Sequence, residues 1–182
     1  MAQGTNFEGF GFSLRSGDLS GSQLMLAAQR GDAAAFQELV RSYDAMVMRV
    51  VLALTGSEDT AQVIYKQIFL DAFASMNKLD CGSSVFIWLY RILVKHCLEY
   101  CRLNQPAATD CQERGALPTL AASLRCLPPA ERVVVLLKHS QGLKIRTLAE
   151  IFACPQEYIA EVLRKGTHSL RTLVALRARQ IA

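Results

Sequence analysis

The chain is 182 residues long, carries a net charge of +4 and is 51% hydrophobic. That length holds one or two domains, and so apolar a composition, with only five prolines, excludes a wholly disordered chain. The charge is uneven: residues 1–116 carry ten Lys/Arg against twelve Asp/Glu, whereas residues 117–182 carry ten against four, a net +6 that points to a polyanion partner for the second half.

Residues 1–21 hold Gly4, Gly9, Gly11 and Gly17 among Phe7, Phe10 and Phe12 without periodicity, and read as a flexible tail. A first helix is expected from about Ser22 to Gly31, with Leu24, Leu26 and Ala27 inward. Asp32 suits an N-cap for a second helix, whose Phe36, Leu39, Val40, Tyr43, Val47, Val50, Val51 and Leu54 recur three or four apart. Gly56 ends it. Ser57 caps a third helix with Ala61, Ile64, Ile68, Phe69, Ala72 and Phe73 as its buried stripe. Ser83 or Ser84 opens a fourth helix that runs to about Arg102.

Residues 105–117, with Pro106 and Gly115, read as a linker. A short helix is expected over Thr119–Arg125, and Pro128 or Pro129 fits the first turn of the next, which reaches Ser140. Gly142 supplies a turn, a helix covers about Lys144–Ala153, and Pro155 starts a long final helix to roughly Arg179. No strand alternation occurs. The expected fold is all-α: two small helical domains, at 22–104 and 118–180, joined by a flexible linker, the second a helix-turn-helix.

The fourth helix carries the only Trp, Trp88, beside Tyr90, Arg91, Lys95, Tyr100 and Arg102, with Ser83 and Ser84 in the loop before it. Aromatic faces and cations close together suit unstacked bases and phosphates of single-stranded DNA. The competing reading is that Trp88 and Phe86 are core. In the second half, Lys144, Arg146, Arg164, Lys165, His168 and Arg171 offer backbone contacts, but Glu157, Tyr158 and Glu161 stand where a reading helix meets base edges.

Cys97 and Cys101 lie four apart beside His96, yet nothing fixes the other two ligands of a structural metal site, so no metal or other cofactor is expected. No phosphate loop, repeated carboxylate pair or nucleophile motif appears, and the chain reads as a non-enzyme. No stretch reaches the ~18 apolar residues of a membrane helix, and the start lacks a basic segment followed by an apolar one. The reading is cytoplasmic, without membrane contact, and the six scattered Cys then read as reduced thiols.

Several strings carry a resemblance. Gly31-Asp32-Ala33-Ala34-Ala35-Phe36-Gln37-Glu38-Leu39-Val40, then Gly82-Ser83-Ser84 with Trp88-Leu89-Tyr90-Arg91-Ile92, then Leu127-Pro128-Pro129-Ala130-Glu131-Arg132, then Gly142-Leu143 and Leu148-Ala149-Glu150-Ile151 occur in order. Together they resemble the extracytoplasmic-function sigma factors of bacterial RNA polymerase over about 22–104 and 118–176. The resemblance implies binding to core RNA polymerase and promoter DNA, with an anti-sigma factor as a further partner. It implies minus-ten contacts by Ser83, Ser84, Tyr90, Arg91, Lys95 and Arg102, and minus-thirty-five contacts by Lys144, Arg146, Arg164, Lys165 and Arg171. It places polymerase contacts at Arg49, Gln62, Lys66 and Gln67. The family's acidic run on the third helix is Ala61-Gln62-Val63 and Lys66-Gln67 here, so its carboxylates are gone. The reading is therefore a sigma factor for promoter recognition and opening. The alternatives are a degenerate sigma-like protein that binds DNA or a regulator without initiating, and a purely protein-binding helical adaptor.

Overall fold

Local chemistry sets most helix ends in the computed structural model, which describes residues 17–80, 82–105 and 120–179. The Asp32 carboxylate accepts from Ala34 N (2.9 Å) and Ala35 N (3.1 Å), satisfying two first-turn donors of α2, Ala33–Thr55. Gly56 closes that helix in the left-handed region at φ 69°. Ser57 Oγ accepts from Thr60 N at the start of α3, Glu58–Ser75. Ser84 Oγ accepts from Ile87 N and opens α4, Val85–Leu103.

Before these lies α1, Gly17–Gln29, which begins five residues earlier than the expected Ser22. Residues 17–21 of the expected tail thus belong to α1, while residues 1–16 and the expected linker beyond residue 105 lie outside the described residues. The second pack contains α5 (Leu120–Arg125), α6 (Pro129–Ser140), α7 (Ile145–Phe152) and α8 (Gln156–Arg179). Pro129 occupies the first turn of α6, where the missing N–H costs nothing. Among the described residues every regular element is helical, with one 3-10 turn over Met76–Lys78. No described helix is long and apolar enough to cross a membrane.

One buried cluster runs through both packs, from Leu39, Val47, Val51 and Ile68 through Leu89 and Leu93 to Leu137, Leu148 and Ile159. Helix α4 lies against α6 and α7, and α2 against α6. Arg132 pins this junction. It is 2% exposed, and its Nη2 donates to the Leu54 carbonyl in the last turn of α2. Its guanidinium also stands 6.0 Å from the centre of the Tyr100 ring. A cation at the carbonyl end of a helix is favoured by the partial negative charge there.

Two expectations about the core need correction. Phe73 was placed in the buried stripe of α3 but is 53% exposed, its ring held edge-on to Phe36 at 5.1 Å. In α1, Gly21, Met25 and Ala28 are buried, and Leu24, Leu26 and Ala27 are half-buried around them. Between α6 and α8 the helices approach closely at Gly166, where a Cβ would stand 2.8 Å from Val135 Cγ2 and 3.1 Å from Glu131 Cβ.

Candidate nucleic-acid interface

Helix α4 turns Val85, Phe86, Leu89, Tyr90, Leu93, Val94, Cys97 and Cys101 inward, a stripe three and four apart. What remains outside is an edge formed by Arg91, Lys95, Glu99 and Arg102. Tyr90 is therefore corrected: it is 1% exposed, its ring 4.4 Å from Phe86, and it offers no face to a base. Burial, and then the neighbouring Tyr43, push its hydroxyl above the ordinary tyrosine range. Trp88 is half-buried rather than core, whereas Phe86 is buried as expected.

Of the edge cations, two have partners within the chain. Arg91 Nη2 donates to the Glu150 carbonyl of α7 at 2.9 Å, linking α4 to the second pack. Lys95 Nζ lies 3.0 Å from Asp71 Oδ2 on α3, and His96 Nε2 reaches the same oxygen at 3.0 Å. Lys95, and after it His96, hold the Asp71 carboxyl below the usual range. Arg102 and Ser83 are exposed, and no ion pair engages Arg102 among the described residues. Ser84 is half-buried, with its hydroxyl at the helix cap.

In the second pack, α7, a turn and α8 form the helix-turn-helix. The turn passes through Ala153 in the left-handed region (φ 51°, ψ 48°), then Cys154 and Pro155. At the start of α8, Glu157 and Tyr158 are exposed, Tyr158 by 57%. Glu161 then receives Arg164 through two bonds, Nη2 to Oε1 at 2.7 Å and Nε to Oε2 at 2.8 Å. Lys165 Nζ approaches Oε1 at 3.4 Å. Arg164 foremost, aided by Lys165, draws the Glu161 carboxyl down to about 2. Arg146 Nε pairs with Glu150 at 3.3 Å. Lys144 and Arg171 are exposed without an ion pair among the described residues, and Arg171 shares a shallow groove with Ile145, Arg164 and His168.

The four residues expected at a polymerase contact are all exposed: Arg49 on α2, and Gln62, Lys66 and Gln67 on α3. Cys97 and Cys101 are free but buried, and burial raises both thiols, the reverse of the activation a metal ligand or reactive thiolate needs. No cluster of three or more potential metal ligands occurs among the described residues. Cys154 is also free, but Cys126 is disulfide-bonded, contrary to the expectation of reduced thiols throughout. Sequence reasoning did not single out Arg132. The available signal was a cation set directly against the apolar run Val133–Leu137.

No family model matches the chain. It is 23% identical over 159 residues to the RNA polymerase sigma-H factor of Pseudomonas aeruginosa, covering 73% of this chain and 82% of that protein. It is 22% identical over 169 residues to the ECF RNA polymerase sigma factor SigW of Bacillus subtilis, covering 79% and 90%. Among solved structures, CnrH in complex with the cytosolic domain of CnrY superposes with a TM-score of 0.67 at 17% identity, over 86% of this chain and 98% of that one. In its ordered motifs, its all-helical fold and the helix-turn-helix at its end, the chain is similar to the extracytoplasmic-function sigma factors.

Proposed function

We propose that this chain acts as a transcription initiation factor: it binds core RNA polymerase and directs promoter recognition and opening. The observation that carries the reading is the co-linear match to sigma factors over both packs, 79% of the chain for SigW. Polymerase contact is assigned to Arg49, Gln62, Lys66 and Gln67, all of which face solvent. Minus-ten contact is assigned to Ser83, Ser84, Arg91, Lys95 and Arg102, without Tyr90. Phosphate contact near minus thirty-five is assigned to Lys144, Arg146, Arg164, Lys165 and Arg171. An anti-sigma partner is proposed because a similar solved structure is that of the sigma factor RpoE in complex with the anti-sigma factor NepR from Bartonella quintana.

Run-off transcription with purified core polymerase on a promoter library tests the proposal: discrete start sites are expected. Core binding without any discrete transcript would leave only a sigma-like binding protein. On a forked template, Ala at Arg91 and Lys95 should weaken binding more than on closed duplex. Equal losses on both would remove α4 from promoter opening.

A second reading has its own support: a sigma-like DNA-binding protein that does not initiate. Glu161 engages Arg164 and Lys165, and Glu157 and Tyr158 occupy the reading end, so backbone attraction persists while base discrimination is poor. Binding should then fall with salt and depend little on sequence. A preference of ~10³-fold or more for one site over random DNA would overturn this reading.

A further inference from the structure

The connection from α3 to α4 is short, and its downstream end is held by its own residues. Ser83 N donates to the Asp80 carbonyl at 2.9 Å, and the Ser84 hydroxyl caps α4. The upstream end is held from elsewhere. Gln29, the last residue of α1, donates through Nε2 to the Met76 carbonyl at 2.7 Å and to the Leu79 carbonyl at 2.9 Å, 47 and 50 residues away in sequence. A primary amide nitrogen carries two protons, and carbonyl oxygens can be met only by that nitrogen. Both donors of Gln29 are thus committed to one segment.

The amide is itself well anchored. Met25 and Ala28 bury α1 against the core. Beyond Gln29 the chain turns at once: Arg30 N and Gly31 N donate to the Ala27 and Ala28 carbonyls, each at 3.0 Å, and Asp32 N donates to the Ala27 carbonyl at 3.1 Å. Asp32 then caps α2, so the backbone that carries Gln29 is bonded on both sides. At the receiving end, Met76 is buried and Leu79 half-buried, whereas Asn77, Lys78, Asp80, Gly82 and Ser83 are exposed. The Met76 carbonyl also accepts from Leu79 N at 3.1 Å, closing the 3-10 turn. Gln29 therefore grips the two inward residues from which the exposed stretch springs.

We infer that Gln29 is a positioning residue: its amide fixes the upstream anchor of the loop that presents Ser83 at the start of α4. A loop held by supporting bonds before it meets a ligand loses less conformational freedom on binding. The benefit falls on whatever that loop touches, which is unstacked DNA and not closed duplex. A residue that merely fastened α1 to the core would weaken all binding alike. The inference rests on the assignment of Ser83 and Ser84 to minus-ten contact above, and it adds the group that holds their loop in place.

Gln29→Met keeps the length of the side chain and removes both donors. In the full chain, hydrogen exchange at the Leu79 and Ser83 amides should quicken about tenfold, the scale of one or two hydrogen bonds. The Gly56 amide, which bonds the Leu52 carbonyl at the end of α2, should keep its rate. Binding to a fluorescent forked promoter template, followed by anisotropy, should weaken about tenfold while closed-duplex binding is kept. Gln29→Lys restores a donor and should recover both the slow exchange and the forked-template affinity. An unchanged far-UV spectrum verifies the fold, and Gln29→Asn, whose amide is one methylene short, gives the same comparison if the Met variant does not fold. Unchanged exchange at Leu79 and Ser83 overturns the inference. So does equal weakening on both templates, or faster exchange at Gly56 as well, since either marks a general loosening. A wild-type chain that binds fork and duplex alike sinks the minus-ten reading alone, and the exchange rates then still decide whether Gln29 holds the loop.

Discussion

The two packs handle the groups a nucleic-acid-binding helix would present in opposite ways. In α4 the aromatic Tyr90 goes into the interior, 1% exposed, where it is part of the core. In α8 the cations Arg164 and Lys165 stay at the surface and are held by the chain's own Glu161. Core burial is lost only when the fold is lost, whereas a solvent-exposed ion pair is weak and yields to salt or to a competing phosphate. The cationic surface of the second pack is therefore recoverable. The aromatic of the first is not.

The largest test of that contrast is Tyr90→Ala. Removing a buried aromatic should cost about 4 kcal/mol of unfolding free energy, measured by urea denaturation. A loss below ~1 kcal/mol, the range of surface substitutions, would mean the ring is free to leave the core. Next is Arg132→Ala at the junction of the packs. It leaves the Leu54 carbonyl without its donor and should cost about 3 kcal/mol in the same assay. Two separate unfolding transitions in the wild-type chain would break the idea of one cooperative core.

Glu161→Gln acts on the second pack and should leave the fold intact while freeing Arg164 and Lys165. Affinity for random duplex should rise about tenfold, with a steeper salt dependence. Unchanged affinity would show that the pair is not competing with phosphate. The pH dependence follows from the carboxyl at about 2, below its usual 4.5. Because the folded value is depressed, the ion pairs are complete above about 4.5 and are lost only as pH falls through about 2. Salt can therefore release these cations at neutral pH, and mild acid cannot. An NMR titration of Glu161 should give a midpoint near 2 that moves back toward 4.5 in Arg164→Ala.

The smallest effect is at the turn. Ala153→Gly relieves a left-handed backbone conformation and should stabilise the chain by about 1 kcal/mol. A destabilisation would mean that the Ala methyl packs favourably enough to offset the strain.

Much of the fold could be read from local chemistry. Asp32, Ser57, Ser84, Gly56 and Pro129 each mark a helix end because a cap or a first-turn proline acts within a few residues. The direction of α4 was harder. Tyr90 lies four residues after Phe86, the spacing of a core stripe, yet the same spacing serves an outward aromatic face. Phe73 failed the other way: its periodicity continues the buried stripe of α3, but the packing ends at Ala72. The bonds that decide which cations are available are of two kinds. Glu161–Arg164 spans three residues and was open to sequence reasoning. Arg91 to Glu150, Lys95 to Asp71 and Arg132 to Leu54 join distant parts of the chain, and no local pattern announces them.

The close approach at Gly166 has a mechanical consequence. Helix α8 rests against α6 where a single hydrogen replaces a side chain, so the contact acts as a fulcrum. The start of α8 at Gln156 lies ten residues away, a lever arm of about 15 Å along the helix. A bulkier residue there would lift the fulcrum and swing Glu157 and Tyr158 through an arc, moving the start of α8 without touching it. The pitch of the longest described helix is thus set by its smallest residue.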